Sequence, residues 1–234
     1  MELFPGTERK SKVKIAPSLL AANFANLESD IRQCVEGGAD ILHLDIMDGH
    51  FVPNLTIGPP VVKAIRSLTT LPFSCHLMIS DPYNYIREFA EAGANYISVH
   101  VEGHHHLHRT LALIRSFGIK PGIALNPGTP LDFAFEAAEY CDYILLMSVD
   151  PGFGGQKFIP TFLRRCEMLR IFLEKQGYDH IEIEVDGGVK HENIARIART
   201  GASILVCGSA VFNGDIVENI KDLRHSVEGI SFKK

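Results

Sequence analysis

The sequence has no strong excess of charge and no long apolar run, and both absences narrow what the protein can do. Its formal net charge is -5 over 234 residues, which gives no general attraction for nucleic acids or anionic membranes. No apolar stretch approaches the roughly 20 residues that a transmembrane helix needs. We therefore expect neither a nucleic-acid partner nor a membrane partner, and the 46% hydrophobic content is that of an ordinary globular protein.

A disulfide framework, a signal peptide and a low-complexity linker are also missing. The five cysteines are scattered, odd in number and without a Cys-x-x-Cys pair, which favours reduced, buried thiols and a cytoplasmic location. Residues 1–12 are polar and lack the apolar core of a signal peptide, so we expect a flexible leader there. The sequence predicts one domain over residues 13–228, followed by a C-terminal tail over residues 229–234.

A short unit that contains glycine recurs along the chain. Glu36–Asp40, Glu91–Asn95 and Arg199–Ser203 each precede a short apolar segment, which predicts a helix capped by glycine and then a buried strand. The predicted strands are Lys14–Ser18, Ile41–Asp45, Phe73–Met78, Tyr96–His100, Lys120–Leu125, Tyr143–Met147, Ile181–Asp186 and Ile204–Cys207. The predicted helices are Phe24–Glu36, Pro60–Ser67, Pro82–Ala92, Leu107–Phe117, Leu131–Ala138, Thr161–Gln176, Asn193–Thr200 and Ile216–Val227.

Eight alternating strands and helices in a chain of this length predict an α/β fold, a single-domain (β/α)8 TIM barrel. A doubly wound open sheet is the competing architecture, but no Gly-x-Gly-x-x-Gly motif follows the first strand. In a TIM barrel the active site lies at the C-terminal ends of the strands. The polar residues at those ends are Ser18, His43, Asp45, His76, His100, Asn126, Ser148, Asp186 and Ser209.

Two histidines and two aspartates form the main candidate site. His43 and Asp45 are two residues apart and share one face of a strand, which fits either a structural hydrogen bond or half of a metal site. His76 and Asp186 stand at the ends of other strands, so all four would converge at one barrel mouth. That convergence favours a divalent metal held by mixed nitrogen and oxygen ligands.

Three other features have no assigned role at this point. Glu182 and Glu184 have the parity of Asp186 and would face inward at a deeper level, where a supporting role, a buried pair and a shifted strand register all stay open. The run His50–Pro60 is long for such a loop and would form a lid or a wall over the mouth. We interpret the histidines at 104–106 and 108 as a loop and helix start rather than a metal-binding tract.

Glycine-rich turns follow the last three predicted strands. These are Pro151–Gly155 after the sixth strand, Gly187-Gly188 after the seventh and Gly208-Ser209, which opens a short helix, after the eighth. Glycine lets backbone N–H groups approach an anion closely, and a helix N-terminus adds its dipole. Because phosphate sites of TIM barrels lie at these strands, the turns predict a phosphate-binding site.

These strings together closely resemble the ribulose-phosphate 3-epimerase family. The matching strings are Ala16-Pro-Ser-Leu-Leu-Ala, His43-Leu-Asp-Ile-Met-Asp-Gly-His-Phe-Val-Pro-Asn54, Cys75-His-Leu-Met, Ala124-Leu-Asn-Pro-Gly-Thr-Pro, Pro151-Gly-Phe-Gly-Gly-Gln-Lys-Phe158, Val185-Asp-Gly-Gly and Gly208-Ser209. They occur in family order over about residues 14–227. Asp150, where the family often has Asn, and Cys207, where a small apolar residue is common, are the departures.

The resemblance implies an epimerase that interconverts D-ribulose 5-phosphate and D-xylulose 5-phosphate in the pentose phosphate pathway. It implies one divalent metal ion per subunit, zinc in the first place and iron, manganese or cobalt otherwise. Barrels of this type usually associate, so we expect a homo-oligomer. His43, Asp45, His76 and Asp186 would be the metal ligands, and Asp45 and Asp186 also the two acid/base groups. The substrate would contact Ser18, His43, Met47, His76, Met78, Met147, Gly152, Phe153, Gly154, Gly155, Asp186, Gly187, Gly188, Gly208 and Ser209.

Elementary chemistry supports the same assignment. Inverting a carbon next to a carbonyl requires proton removal from one face and proton return on the other, which two carboxylates on opposite sides can do. A metal would stabilise the negative charge of the enediolate, and methionines offer a polarizable wall that does not compete for protons. An epimerase for a six-carbon sugar phosphate, such as allulose 6-phosphate, and a non-catalytic sugar-phosphate-binding barrel are the alternatives.

Overall fold

The computed structural model describes residues 11–103 and 106–232, and eight parallel strands within these ranges form one sheet. We number them β1 to β8: Lys14–Pro17, Leu42–Met47, Phe73–Met78, Tyr96–His100, Lys120–Leu125, Tyr143–Met147, Glu182–Asp186 and Ile204–Cys207. They are paired in the order β1-β8-β7-β6-β5-β4-β3-β2. A parallel bridge between Ser18 and His43 brings β1 back to β2, so the sheet is a nearly closed barrel. The predicted TIM barrel is confirmed.

Helices alternate with the strands, as the sequence predicted. The described α-helices, α1 to α9, are Leu27–Glu36, Pro59–Arg66, Ile86–Glu91, Leu107–Ser116, Asp132–Ala137, Phe162–Gln176, Ile194–Arg199, Ser209–Phe212 and Ile216–Ser226. Two predicted helices begin as tighter 3-10 turns, at Phe24–Asn26 and at Pro82–Tyr85, and become α-helical only afterwards. Such turns are frequent at helix N-termini. In the described part of the chain, no helix is both long and apolar enough to cross a bilayer.

The termini and one loop lie partly outside the described residues. Residues 1–10 of the expected leader, residues 233–234 of the expected tail, and the first two residues of the histidine run at 104–106 belong to this group. Ser11–Lys12 pairs in antiparallel fashion with Ser231–Phe232, which brings the two ends of the described chain together. The domain boundaries at residues 12 and 228 stay a prediction.

Strand β2 explains how the barrel holds polar side chains in its interior. All six of its residues are buried. Leu42, Leu44 and Ile46 join the large apolar cluster between the sheet and the helices, whereas His43 and Asp45 alternate with them and face inward. A fully buried Leu or Ile contributes about 1.5–3 kcal/mol, so a one-residue slip that exchanged the two faces would be costly. The outer shell therefore fixes which residues reach the barrel interior.

Candidate active site

The four predicted ligands meet at the C-terminal mouth of the barrel. Asp45 on β2 and His76 on β3 are direct neighbours in the strand register, and His43 lies one inward-facing position below Asp45. Asp186, the last residue of β7, approaches from the opposite side of the barrel. One ligand atom from each of the four lies within 4.8 Å of the others, a spacing that a single metal ion could bridge.

His43 is held from behind by a glutamate that the sequence left without a role. Its Nδ1 lies 2.9 Å from Glu184 Oε1, and both side chains are fully buried. Because an ionised carboxylate only accepts hydrogen bonds, His43 donates from Nδ1, so the neutral form of this ring has its lone pair on Nε2. That Nε2 has no hydrogen-bond partner and lies 3.3 Å from Asp45 Oδ1 and 3.8 Å from Asp186 Oδ2. Glu184 therefore supports a ligand, which was one of the alternatives for it.

Glu182, two residues earlier on the same strand, does something different. Its carboxylate forms an ion pair with Lys14 at 2.7 Å and lies 3.9 Å from the Lys120 ammonium. Burial opposes the charge on Lys14, but Glu182 outweighs it and raises the pKa of that amine. Both glutamates thus face inward, as the sequence predicted. Glu184 pairs with a histidine near the mouth, and Glu182 lies beside two lysines at the base.

The charges in the four-residue cluster stabilise one another. Burial alone would keep His43 neutral, but Asp45 and Glu184 raise its pKa well above the ordinary value. Burial would likewise protonate Asp45, yet His43 and His76 lower the pKa of its carboxyl far below the ordinary range. His76 also has a raised pKa, because hydrogen bonds from its ring to Asp186 and Asp45 outweigh its burial. The metal-free cluster thus favours charged carboxylates beside protonated imidazoles.

Asp45 is also fixed in orientation. Its Oδ2 accepts a hydrogen bond from Ser18 Oγ at 2.6 Å, across the gap between β1 and β2. Its backbone carbonyl accepts one from Thr56 Oγ1 at 2.5 Å, and the same hydroxyl accepts from the backbone N–H of Met47. Asp45 is 5% exposed, and its oxygen Oδ1 is left facing the two histidines. A positioned, nearly dry carboxylate suits both metal binding and proton transfer.

The cluster forms one end of a cleft at the mouth of the barrel. Of the predicted substrate-contacting residues, those that line this cleft are Ser18, Met47, Met78, Met147, Gly152, Phe153, Gly154, Gly155, Asp186, Gly187, Gly188, Gly208 and Ser209. His43 and His76 are fully buried beneath its floor. The lining residues include Asp45 and Asp186 but neither lysine nor arginine, so an anionic ligand would need positive charge from another source.

Backbone groups dominate the other end of the cleft. Gly187 and Gly188 have φ angles of 117° and 62°, in the region that favours glycine. A Cβ on Gly188 would lie 2.7 Å from the backbone nitrogen of Phe158, and one on Gly187 would lie 2.5 Å from the Val149 side chain. Within the described residues, no acceptor takes a hydrogen bond from the N–H groups of Gly187 and Gly188. These free donors can bind an anion.

The loop after β2 forms a wall of the cleft. The Asp48 carboxylate accepts hydrogen bonds from the backbone N–H groups of His50, Phe51 and Ser80, which ties the loop to the segment after β3. Val52 is 3% exposed and packs in a small cluster with two of the cleft methionines. Asn54 Nδ2 donates to the carbonyl of Gly152 at 2.8 Å, so the wall and the Pro151–Gly155 turn are joined. The sequence left a lid and a wall as roles for this loop, and the packing fits a wall.

Sequence reasoning missed several contributors to the site. Thr56 lies in a loop and carried no signal beyond its residue type, although it anchors the Asp45 backbone. Val149 and Val206 line the cleft as ordinary apolar residues. His100 was recognised only as a polar residue at the end of a strand, and its neighbour Glu102 was not singled out. Each of these roles depends on a contact that the strand and turn patterns of the sequence do not mark.

The residues present fit a divalent metal. The imidazole nitrogen of His43 that faces the cluster is buried and lacks a hydrogen-bond partner. Such an unsatisfied polar atom costs about 1–3 kcal/mol unless a ligand occupies it. Two imidazoles and two carboxylates form a donor set typical of zinc and of other first-row divalent metals. A cation there would also offset the two aspartates that face the cleft.

The sequence comparisons with known proteins agree on one family. The model of the Ribulose-phosphate 3 epimerase family matches residues 14–212. The ribulose-phosphate 3-epimerase of Bacillus subtilis is 47% identical over 215 residues, covering 92% of this chain and 99% of the relative. That of Aquifex aeolicus is 50% identical over 204 residues, covering 87% and 91%. The solved structure of KGPDC from Streptococcus mutans has a TM-score of 0.71 at 12% identity, covering 94% and 99%, and shows the fold alone.

Proposed function

The chain belongs to the ribulose-phosphate 3-epimerase family, and on that premise we propose that it interconverts D-ribulose 5-phosphate and D-xylulose 5-phosphate by inverting the configuration at C3. The observation that carries the proposal is the pair Asp45 and Asp186, which reach one cleft from opposite sides of the barrel. Binding alone needs no paired acids, so a non-catalytic barrel is not supported. The names of the relatives do not favour the hexose-phosphate alternative.

The two aspartates carry the proton transfer. One carboxylate removes the C3 proton from one face of the sugar, and the other, in its protonated form, returns a proton to the opposite face. In the reverse direction the two exchange roles. Ser18 orients Asp45 through the 2.6 Å hydrogen bond, and Asp186 is the more exposed of the two, with a side chain 16% exposed against 4%. The intermediate between the two transfers is an enediolate.

The remaining cleft residues bind and shield the substrate. Met47, Met78 and Met147 line the reacting region and neither donate nor accept protons, so they leave proton transfer to the aspartates. The N–H groups of Gly187 and Gly188, with the neighbouring turns, bind the phosphate. A divalent metal held by His43, Asp45, His76 and Asp186 would stabilise the negative charge that develops on the substrate oxygens.

Finer assignments belong to the same proposal. We take the metal to be zinc, because a buried site with two imidazoles suits it well, with iron, manganese and cobalt as alternatives. All five cysteines are free and buried, which supports a reducing compartment such as the cytoplasm. The place in the pentose phosphate pathway and a homo-oligomeric state follow from the family and are part of the proposal.

Solvent exchange tests the proposal most directly. The metal-loaded protein is incubated with D-ribulose 5-phosphate in D2O, and NMR follows the C3 position. We expect D-xylulose 5-phosphate to form with deuterium at C3, because the second aspartate, which returns the proton to the opposite face, carries deuterium from the solvent. Absence of both product and exchange in protein with bound metal would refute the proposal. D-Allulose 6-phosphate under the same conditions is the comparison substrate, and we expect it to turn over more slowly.

A further inference from the structure

A row of hydrogen-bonding side chains extends from His76, on the edge of its ring that faces away from the aspartates. His76 Nδ1 lies 3.4 Å from Asp45 Oδ1 and 3.6 Å from Asp186 Oδ2. Its Nε2 lies 2.9 Å from His100 Nε2 at the end of β4, and His100 Nδ1 lies 3.0 Å from Glu102 Oε2. The two ring planes are tilted by 28° and their centroids are 5.0 Å apart, which leaves room for a hydrogen bond between the facing ring nitrogens.

The outer end of the row decides the direction of every hydrogen bond in it. Glu102 Oε1 accepts from the backbone N–H of Asn126 at 2.8 Å and from the hydroxyl of Thr129. An ionised carboxylate is acceptor only, so His100 must donate from Nδ1 to Oε2. A neutral imidazole has a single N–H, so His100 Nε2 is an acceptor and His76 must donate from Nε2. In its neutral, metal-binding form His76 then carries its lone pair on Nδ1, the nitrogen that faces the aspartates.

We propose that Glu102 and His100 are positioning residues for the metal site, which hold His76 as its Nε2–H tautomer and direct the Nδ1 lone pair at the metal. This inference rests on the metal site of the proposed function. It gives the two histidine ligands opposite tautomers, since His43 is fixed by Glu184 with its lone pair on Nε2. A ligand histidine whose second nitrogen is hydrogen-bonded has a fixed tautomer and ring orientation, and the loss of such a partner weakens metal binding.

The packing around the row keeps it in place. His100 is 2% exposed, and the ring of Phe51 packs against it with the ring centroids 4.8 Å apart. Arg165 donates to the carbonyl of Thr129 at 2.6 Å, which fixes the turn that supplies both partners of Glu102 Oε1. The Glu102 side chain is 24% exposed, so its charge stays partly solvated. The row thus connects a partly solvated carboxylate to a fully buried ligand.

The substitution Glu102→Gln tests the direction of the row without changing its shape. The backbone N–H of Asn126 can only donate, so the Gln carbonyl must face it and the Gln NH2 must face His100. His100 would then accept at Nδ1 and donate from Nε2, which places the proton of His76 on Nδ1 and blocks metal binding there. We expect zinc affinity, measured by competition with a chromogenic chelator, to fall about 10- to 100-fold. We expect the 15N shifts of metal-free protein, recorded at a pH high enough for His76 to be neutral, to show this ring changing from the Nε2–H to the Nδ1–H tautomer.

Two variants serve as controls. Thr129→Val removes one donor to Glu102 without reversing the row, and Glu136→Gln makes the same chemical change at an exposed site on α5. Both should keep the wild-type tautomer, and their zinc affinity should stay within about threefold of the wild-type value, since the His100 contact is intact.

His100→Phe is the second test. The new ring can still pack on Phe51, but His76 loses its acceptor, so zinc affinity should fall.

The inference fails if metal-free wild-type protein, at a pH where His76 is neutral, carries the single ring proton of His76 on Nδ1, whatever the variants do. It also fails if Glu102→Gln or His100→Phe binds zinc as the wild type does. If the wild type binds no zinc at all, the proposed metal site is wrong, and the tautomer measurement still decides whether the row has the inferred direction. Thermal unfolding shows whether each variant is folded. If a variant is not folded, the tautomer of His76 in the wild-type protein decides the inference.

Discussion

The two ends of the cleft bind by different means. At one end, buried side chains with charges and fixed hydrogen bonds converge from strands β2, β3 and β7, and the backbone only supplies their register. At the other end, glycines in left-handed conformations expose backbone N–H groups, and side chains contribute little. A change of one atom in a side chain should therefore damage the first end, whereas the second end should be damaged by the addition of a side chain.

The largest effect is expected at the charged end. Asp45→Asn and Asp186→Asn each replace a proton carrier by an amide of the same shape, so each should lower kcat by about 10²–10⁴-fold. The KM for the sugar phosphate should change far less, because the glycine end is unaltered. The assay is steady-state epimerisation at saturating zinc, which compensates for any weaker metal binding.

Asp222→Asn, at an exposed position on α9, is the matched control and should keep wild-type kinetics. Near-normal turnover in either active-site variant would show that a single base suffices, and the assignment of two acid/base groups would then be wrong.

Metal binding at the charged end should weaken as the pH falls. The pKa values of His43 and His76 are raised by the neighbouring carboxylates, so both imidazoles hold their protons to a higher pH than free histidine. A metal binds only the neutral imidazole, so protons compete with it below these pKa values. We expect zinc affinity to fall about tenfold or more from pH 8 to pH 6, with proton release on binding in weak buffer. Affinity that rose on acidification would contradict these pKa directions.

The glycine end should be broken by a single added methyl group. Gly188→Ala puts a Cβ 2.7 Å from the Phe158 backbone nitrogen at a φ of 62°, so the turn must shift. Strain of this kind costs on the order of 1–3 kcal/mol, and moved N–H donors should raise the KM about tenfold, which corresponds to about 1.4 kcal/mol. In contrast to the aspartate variants, kcat should stay near the wild-type value, and zinc affinity should not change. A fall in kcat with constant KM in Gly188→Ala would mean that the glycine end contributes to the chemical step as well as to substrate binding.

The sequence predicted the barrel and the inner faces of its strands, because both follow from local pattern. The alternation in Leu42–Met47 determines which side chains face inward, and the glycine pairs mark turns that need positive φ. The end of β2 was predicted two residues early, at Asp45. Met47 still pairs with Met78, and its N–H donates to Thr56 beyond that point.

The partners behind the ligands were not predictable in the same way. Glu184 lies 141 residues from His43 in sequence, and Glu102 lies 24 residues from Asn126, so no local pattern connects them. Their roles depend on side-chain rotamers and on which imidazole nitrogen faces which neighbour. These details are set by packing in the closed barrel, whereas inward parity was enough to place Glu184 at the right depth.

The smallest effect should come from the glycine end itself. Gly154 lines the cleft, but its φ is not in the left-handed region, and a Cβ there would meet nothing closer than the Leu20 side chain at 3.9 Å. Gly154→Ala should therefore change KM and kcat by about twofold or less, since an unstrained surface substitution costs within about 0.5 kcal/mol. Steady-state kinetics of Gly154→Ala and Gly188→Ala, measured under the same conditions, makes the comparison. If Gly154→Ala raised the KM as much as Gly188→Ala, close approach of the ligand to the backbone, rather than backbone conformation, would be what requires glycine at this end.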